Sequence, residues 1–296
     1  MPPQLCLGTA QFGLAYGITN AVGQVPESEV AQLLHQAATN GIRWLDTAQA
    51  YGNAETVLGR HLHCGHEFQL ISKLPAQRQQ SFTAADQALW EQTLQTSYER
   101  LGIKSLDAFL LHRPSDLNKP GGELLQEWLL GLRNRGLVQR LGVSIYEASD
   151  LDGLDAILLD LVQLPLSLYD QRLFQDGTLA RLRASGTTLH ARSLYLQGLL
   201  LSPSERWPSW VRPEVLLHHQ KLEALAQERG CQLIDLALGF ARVQKDLEAV
   251  VLGLCSCKEL AELKSAWAAS SPWQEGEWQA WALHDPFIIN PRRWPN

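Results

Sequence analysis

The sequence lacks any uninterrupted apolar run of about 18 residues, the minimum for a membrane-spanning helix, so we expect no membrane association. Its first residues, MPPQLCLGTAQFG, contain neither the basic start nor the apolar stretch of a secretory signal. Its five cysteines are scattered and odd in number, and Cys255 and Cys257 are too close together and too isolated to indicate a zinc site. These absences predict a cytoplasmic protein with reduced thiols.

Clusters of basic residues are also missing. With a net charge of −6 and no Lys/Arg block, the chain is not expected to bind nucleic acid. No G-x-G-x-x-G motif follows a predicted strand, which argues against a Rossmann-type dinucleotide site.

What the sequence does contain is enough apolar residues for one large core. Of its 296 residues, 45% are apolar and 19% are charged, as in soluble globular proteins, and the length suits a single α/β barrel. No linker or low-complexity tract divides the chain, so we expect one domain over residues 1–296. Several tryptophans lie near the end, and we expect this tail, about residues 272–296, to pack against the body of the domain.

Short apolar runs alternate along the chain with helical patterns. The predicted strands are Leu5–Thr9, Arg43–Asp46, Gln69–Lys73, Leu106–Leu111, Arg140–Ser144, Leu161–Leu164, Thr188–Arg192 and Ala249–Gly253. The segments between them, such as SEVAQLLHQAATNG, have apolar residues at helical spacing and end at a glycine. Eight strands, each followed by a helix, predict an α/β fold of the (β/α)8 TIM-barrel type, with an open doubly wound sheet as the alternative.

Polar residues at the predicted strand ends mark a candidate site, because these ends meet at the mouth of such a barrel. The second strand ends at Asp46 and Tyr51 lies on the loop that follows it. The third strand ends at Lys73 and the fourth at His112. Taken alone, each has an ordinary structural interpretation as a solvated strand end or a capping residue. Four such residues in order from three successive strands indicate shared chemistry.

Together the four side chains suit the donation of a proton to a developing alkoxide. A phenol has an ordinary pKa of about 10, and an ammonium ~4 Å away stabilises the phenolate by up to roughly 4 kcal/mol at an effective dielectric of ~20. A carboxylate keeps that ammonium placed and charged, and a neutral imidazole can orient the substrate oxygen. The hydride must come from a cofactor.

Several segments occur in the order that one family shows: GIRWLDTAQAYGNAETVLG, LISKLP, LDAFLLHRP, LGVS, LVQLPLSLYD and ARSLYLQGLL. In these segments, and over nearly its whole length, the chain resembles the aldo-keto reductases. The resemblance implies a (β/α)8 barrel and nicotinamide-dependent carbonyl reduction. It implies Tyr51 as the general acid and Lys73 as the residue that lowers its pKa. Asp46 would orient Lys73, and His112 would orient the substrate.

The resemblance also implies a cofactor that lies extended over the barrel mouth, with NADP(H) preferred and NAD(H) as the second option. The residues it assigns to cofactor binding are Ser144, Gln163, Arg192, Ser193, Gly198, Gly253, Ser256, Lys258 and Glu262. Of these, Ser144 and Gln163 would hold the carboxamide. The segment that begins at Gly253 would meet the adenosine end.

Two departures from the family pattern lie in this region. Arg192 replaces a tyrosine that stacks on the nicotinamide in many relatives, and a guanidinium plane can stack as well. Ile145 replaces an asparagine, so one amide contact is expected to be lost. At the adenosine end Lys258 stands beside Glu259, which predicts a modest preference for NADPH, on the order of 10-fold.

We therefore predict an NAD(P)H-dependent oxidoreductase that reduces an aldehyde or ketone, with a small and sugar-like carbonyl compound as its substrate. The alternative that stays open is a nicotinamide-binding sensor or regulatory barrel with little turnover. A non-redox lyase or hydrolase would need paired carboxylates at strand ends or a metal cluster, and the sequence indicates neither. The expected quaternary state is a monomer or a weak homo-oligomer.

Overall fold

The computed structural model describes residues 2–62, 67–269, 273–274 and 276–295. Eight strands pair in parallel, and the first pairs with both the second and the eighth, which closes the sheet into a barrel. The strands are β1 Gln4–Gly8, β2 Trp44–Asp46, β3 Gln69–Leu74, β4 Leu106–Leu111, β5 Val138–Ser144, β6 Leu161–Pro165, β7 Thr188–Arg192 and β8 Ala249–Gly253. The predicted single (β/α)8 TIM barrel is confirmed, and the open sheet is excluded.

Helices surround the barrel and connect its strands. The α-helices are α1 Ala10–Gly13, α2 Glu27–Thr39, α3 Ala54–His61, α4 Asp86–Leu101, α5 Gly122–Asn134, α6 Arg172–Gln175, α7 Thr178–Ala184, α8 Pro213–Glu228, α9 Leu233–Arg242, α10 Cys257–Ala268 and α11 Pro286–Ile289. Short 3-10 helices cover Pro114–Asn118, Ala148–Leu151, Ala156–Leu158, Leu199–Leu201, Ser204–Arg206, Glu277–Trp281 and Pro291–Arg293.

The connection from β5 to β6 differs from the prediction of a helix after every strand. Residues 145–160 form only 3-10 turns and no α-helix. Gly153 adopts a left-handed conformation with a φ of 76°, and Asp155 caps the second turn through its side chain. Both features favour turns over a continuous helix.

Local chemistry accounts for several helix ends. Gly102 ends α4 in the left-handed conformation, with a φ of 68°. Pro213 occupies the first turn of α8, where its missing N–H is not needed. Before α4, the Asp86 carboxylate accepts a hydrogen bond from the Thr83 N–H at 2.8 Å, which is one half of a capping box.

Alternate residues of each strand point into the barrel. A small apolar cluster fills this interior and consists of Cys6, Trp44, Ile71, Ala108, Leu110, Leu161 and Ala249. Because strand side chains alternate with a period of two, the residues two positions after members of this cluster point inward as well. This parity carries Asp46, Lys73, His112 and Gln163 to the C-terminal end of the barrel.

An ion-pair and aromatic cluster closes the opposite, N-terminal end. The guanidinium of Arg140 lies 4.7 Å from the ring centre of Trp44 and 3.2 Å from the carboxylate of Glu248. The buried His190 places its Nε2 at 2.8 Å from the same carboxylate and packs edge-on against Trp44. With this end filled, the barrel is accessible from its C-terminal end.

The described part of the C-terminal segment contacts helices and loops of the barrel. The indole N–H of Trp273 donates to the carbonyl of Leu236 at 2.7 Å. The backbone N–H of Leu283 donates to the carbonyl of Tyr169 at 2.8 Å.

No helix in the described ranges is long and apolar enough to cross a membrane. Cys6, Cys231, Cys255 and Cys257 are free thiols. Cys64 lies outside the described residues.

Two helical glycines provide a test of the packing between α3 and α4. A methyl group on Gly59 in α3 would lie 1.9 Å from the carbonyl oxygen of Arg100, whereas a methyl group on Gly131 in α5 would meet nothing within 4 Å. We expect Gly59→Ala to lower the free energy of unfolding by about 1–3 kcal/mol through overpacking. We expect Gly131→Ala to raise it by about 1 kcal/mol through helix propensity. Urea unfolding of both variants measures the difference, and equal effects would contradict the close packing.

Candidate active site

The C-terminal end of the barrel opens into a cavity of about 620 Å³. Its walls are formed by strand ends and by the loops that follow them. The lining includes Gln11, Tyr16, Asp46, Tyr51, His112, Ser144, Tyr146, Arg192, Tyr195, Gly253, Glu259 and Glu262. A cavity of this volume is in the usual range for small-molecule sites.

A buried ion pair lies beside this cavity. Lys73 Nζ donates to both carboxylate oxygens of Asp46, at 2.7 and 2.8 Å, and to the carbonyl of Thr47 at 3.0 Å. The Asp46 carboxylate also accepts from Gln163 Nε2 at 2.7 Å. Lys73 and Asp46 are 1% and 3% exposed, so these contacts replace water as the stabilising partners of both charges. Lys73 Nζ lies 3.4 Å from the hydroxyl of Tyr51.

Two glycines hold the turn that carries Tyr51. Gly52 has a φ of 58°, and a methyl group on it would lie 2.3 Å from the carbonyl oxygen of Gly13. A methyl group on Gly13 would lie 1.8 Å from the carbonyl oxygen of Tyr51. The end of α1 therefore packs directly on this turn. Asn53 stands at the N-terminus of α3, but its side chain does not cap the helix, because its oxygen accepts from Gln24 Nε2 at 2.8 Å instead.

Glu55, in the first turn of α3, connects the same region to its neighbours. Its Oε1 accepts hydrogen bonds from Ser72 Oγ at 2.7 Å and from Ser97 Oγ at 2.8 Å. Ser72 directly precedes Lys73 on β3. The buried carboxylate therefore fixes the helix after Tyr51 relative to the strand that carries Lys73.

The surroundings set the protonation of the phenol and the ammonium. Burial raises the pKa of Tyr51 above its ordinary value of 10.0. Lys73 acts in the opposite direction but does not offset the combined effect of burial and Asp46. Burial by itself would lower the pKa of Lys73, but Asp46 and Tyr51 raise it above its ordinary value of 10.5. At neutral pH Tyr51 therefore holds its proton and Lys73 its charge.

His112 is the fourth residue of the candidate site that the sequence predicts. Its ring packs edge-on against Tyr51 with the ring centres 6.0 Å apart. Burial, followed by the charges of Lys73 and Arg192, lowers the pKa of His112 from 6.5 to about 4. The imidazole is therefore neutral at physiological pH.

The nine residues assigned to cofactor binding divide into two groups. Those on the cavity wall are Ser144, Arg192, Ser193, Gly198, Gly253 and Glu262. The other three have different surroundings. Gln163 is bound to Asp46, and Ser256 caps α10 by accepting from the Glu259 N–H at 3.2 Å. Lys258 has an 86% exposed side chain that pairs with Glu262 at 3.7 Å.

Arg192 is held at the cavity mouth by its neighbours. Its guanidinium donates to the carbonyl of Ile145 at 2.7 Å and to Ser193 Oγ at 3.1 Å. Its Cζ lies 4.0 Å from the ring centre of Tyr146. Ile145, which stands where the family pattern has an asparagine, therefore anchors Arg192 through its backbone carbonyl.

The loop after β7 has an unusual backbone. Ser193, Leu196 and Gln197 have φ values of 62°, 48° and 56°, and Gly198 follows at 93°. Left-handed conformations cost non-glycine residues on the order of 1 kcal/mol each and are concentrated in ligand-binding segments. Thr19 Oγ1 donates to the Gln197 carbonyl at 3.2 Å, so the loops after β1 and β7 meet beside the cavity.

Some residues that line the cavity were not found from the sequence: Gln11, Tyr16, Tyr146 and Tyr195. Tyr195 Oη and Gln11 Oε1 are buried and have no hydrogen-bond partner in the described part of the chain. Such atoms are available to a ligand. The one signal that could have revealed Tyr146 and Tyr195 is their place two or three residues after a strand end.

Comparison with known proteins places this geometry in a family. The model described as "Aldo/keto reductase family" matches residues 4–284. An aldo-keto reductase from Mycolicibacterium vanbaalenii is 31% identical over 140 residues, which cover 44% of this chain and 46% of that protein. The alignment thus spans about half the length of this relative. A 6-dehydroglucose reductase from Novosphingobium aromaticivorans is 25% identical over 300 residues, 92% of this chain and 91% of that protein.

Among solved structures, the glycerol dehydrogenase AKR11B4 from Gluconobacter oxydans is similar with a TM-score of 0.68 and 21% identity. The similarity covers 99% of this chain and 92% of that structure and shows that the two share a fold. The family match covers the strand ends and loops that form the cavity, including Asp46, Tyr51, Lys73 and His112. This chain therefore belongs to the aldo-keto reductase family.

Proposed function

We propose that this oxidoreductase reduces an aldehyde or ketone to an alcohol, with a hydride from NAD(P)H and a proton from Tyr51. One observation carries the proposal. The ammonium of Lys73, buried and paired with Asp46, lies 3.4 Å from the Tyr51 hydroxyl at the wall of a cavity. Membership of the aldo-keto reductase family supports the reaction class.

Tyr51 would transfer its proton to the oxygen that becomes the alcohol. Because burial raises its pKa, the phenol is protonated before the reaction. As the proton leaves, the Lys73 ammonium stabilises the developing phenolate, an effect that exists only while charge builds up on the oxygen. Asp46 supports this role because it raises the pKa of Lys73 and so keeps the amine charged.

His112 would orient the carbonyl oxygen as a neutral imidazole. Its lowered pKa leaves it with one N–H donor at physiological pH. It can therefore hold the substrate oxygen beside Tyr51 without competing as an acid.

The remaining polar groups of the site fit a nicotinamide cofactor, which supplies the hydride when it is bound. Gln163 Oε1 is a buried acceptor without a partner among the described residues, and Ser144 lines the cavity close by on the paired strand. These two groups match the hydrogen-bonding needs of a carboxamide. We assign the nicotinamide end of the cofactor to them.

The phosphate and adenosine parts would extend from β7 to β8. The left-handed segment from Ser193 to Gly198 would hold the pyrophosphate, because successive backbone N–H groups in such turns form anion-binding concavities. At Gly253 a methyl group would lie 2.4 Å from Gln11 Nε2, so any larger residue at this point of the wall would require the Gln11 side chain to move. Glu262 would face the adenosine.

The Novosphingobium relative is named as a 6-dehydroglucose reductase, that is, as an enzyme that reduces an oxidised sugar. Since that relative aligns over nearly the whole chain, it supports a sugar-like carbonyl compound as the substrate class.

Tyr51→Phe is expected to retain cofactor binding and to lose carbonyl reduction by a factor of about 10²–10⁴, the usual contribution of a general acid. Reduced-cofactor absorbance measures the rate, and tryptophan fluorescence quenching measures binding. Tyr98→Phe is the matched control, because the Tyr98 hydroxyl donates to the Leu137 carbonyl away from the cavity. A Tyr51→Phe variant with more than about a tenth of the wild-type rate would refute the assignment. Tight cofactor binding without turnover in the wild type would favour the sensor alternative.

The lowered pKa of His112 has a consequence for stability. The unfolded chain binds a proton at His112 below pH 6.5, but the folded protein does so only near pH 4, so acidification between these values favours unfolding. We expect protonation of His112 in the unfolded chain to lower the free energy of unfolding by at most about 2 kcal/mol between pH 7 and pH 5. Urea unfolding at both pH values should show a smaller loss for His112→Gln than for the wild type. The exposed His35→Gln should retain the wild-type loss, and identical losses in all three proteins would contradict the lowered pKa.

Cofactor preference should be modest. The charge of Lys258 is shared with Glu262 at 3.7 Å, and Glu259 stands next to it in the sequence, so a 2′-phosphate meets one partly neutralised cation. We expect NADPH to bind on the order of 10-fold more tightly than NADH. Lys258→Ala should remove this preference without weakening NADH. Lys264→Ala on the same helix, where Lys264 donates to Asn40, should leave it unchanged. A preference above about a thousandfold would contradict this account.

A further inference from the structure

Two arginines converge on one aromatic ring at the mouth of the cavity. The Cζ of Arg192 lies 4.0 Å from the ring centre of Tyr146, and that of Arg292 lies 3.6 Å from it. Arg192 ends β7, whereas Arg292 belongs to the 3-10 turn Pro291–Arg293 near the C-terminus. The Tyr146 ring thus joins two distant parts of the chain.

Neither guanidinium forms an ion pair with a carboxylate in the described part of the chain. Arg192 donates to the Ile145 carbonyl and to Ser193 Oγ, both of which are uncharged. The adjacent Arg293 does pair, with Glu147 at 3.5 Å. Glu147 also lies 3.8 Å from Arg172, and the Asp150 carboxylate accepts from the backbone N–H groups of Tyr146 and Glu147. Among the described residues, no carboxylate pairs with Arg192 or Arg292.

The same two charges act on the proposed catalytic residues. Arg192 lowers the pKa of Tyr51, against the larger and opposite effect of burial. Both arginines lower the pKa of His112, in the same direction as the larger effect of burial. Of the carboxylates that line the cavity, Asp46 is held by Lys73, while Glu259 and Glu262 belong to α10. Although the chain as a whole carries a charge of −6, the cavity wall at Tyr146 therefore carries two guanidinium charges that no ion pair neutralises in the described part of the chain.

We propose that Arg292, held with Arg192 against the Tyr146 ring, binds an anionic group of the carbonyl substrate, so that the enzyme prefers carbonyl compounds that carry a carboxylate or phosphate. The inference rests on the proposed reductase function. A guanidinium presents several N–H donors in a plane, a geometry that matches both anions. Stacking on the ring holds these donors in place before the substrate arrives.

Matched substrate pairs test the preference. Succinic semialdehyde and butanal share an aldehyde and a chain length but differ in a carboxylate, and glyceraldehyde phosphate and glyceraldehyde differ in a phosphate. We expect kcat/KM to favour the charged member of at least one pair by about tenfold or more, since charge-assisted hydrogen bonds are stronger than neutral ones. The pair that shows the preference identifies the anion.

The matched variants are Arg292→Gln and Arg293→Gln, which remove the same charge from adjacent residues. Arg292→Gln should reduce the preference by about tenfold and leave kcat/KM for the neutral member within about twofold. Arg293→Gln should keep the wild-type preference. Equal losses in both variants would show a nonspecific effect of charge and would overturn the proposal, as would a wild type without preference for either anion. If Arg292→Gln weakened NADPH binding instead, the anion would belong to the cofactor, which would also overturn it.

A binding experiment separates this inference from the proposed function. Succinate should raise the thermal unfolding midpoint of the cofactor-free wild type and of Arg293→Gln, and should raise that of Arg292→Gln much less. This result with no turnover of any aldehyde would refute the reductase proposal and leave the anion site standing. Turnover of neutral aldehydes with no succinate effect, or the same effect in all three proteins, would refute the anion site and leave the reductase standing.

Discussion

The buried contact between Lys73 and Asp46 is the constraint on which the candidate site depends. An ammonium and a carboxylate that are almost fully removed from water are stable only when each compensates the other and further hydrogen bonds complete the set. Here Thr47 and Gln163 supply those bonds. Removing either charge would leave the other buried and unpaired, so the pair is costly to break. The same arrangement holds the ammonium, charged and immobile, beside the Tyr51 hydroxyl.

The position of the phenol is controlled as tightly as that of the ammonium. Gly13 and Gly52 allow α1 and the turn after β2 to approach more closely than any side chain would permit. Glu55 then bonds to Ser72, the residue before Lys73, and so connects the turn to β3. A proton donor and the charge that stabilises its conjugate base are thus supported by one continuous set of contacts. Such support is what preorganised electrostatic stabilisation requires.

Charge is distributed unevenly around the cavity. The cationic side chains Arg192 and Arg292 gather at Tyr146, while the carboxylates Glu259 and Glu262 belong to α10. Burial and the charge of Arg192 both lower the pKa of His112, which stays neutral, but they act in opposite directions on the pKa of Tyr51, where burial prevails. The protonation states therefore follow from the whole cavity and not from the nearest partner alone.

The sequence by itself determined the barrel, the order of its strands and the grouping of Tyr51 with Asp46, Lys73 and His112, because these depend on patterns that are local in the chain. A period of two along each strand decides which side chains enter the barrel, and the strand ends mark its mouth. The prediction of a helix after β5 was wrong, since residues 145–160 form turns instead. Tertiary structure alone decided that Gln163 binds Asp46, that burial outweighs Lys73 in setting the pKa of Tyr51, and that Arg292 reaches Tyr146. Each of these joins residues far apart in the chain through burial or charge, and closure of the barrel is what brings them together.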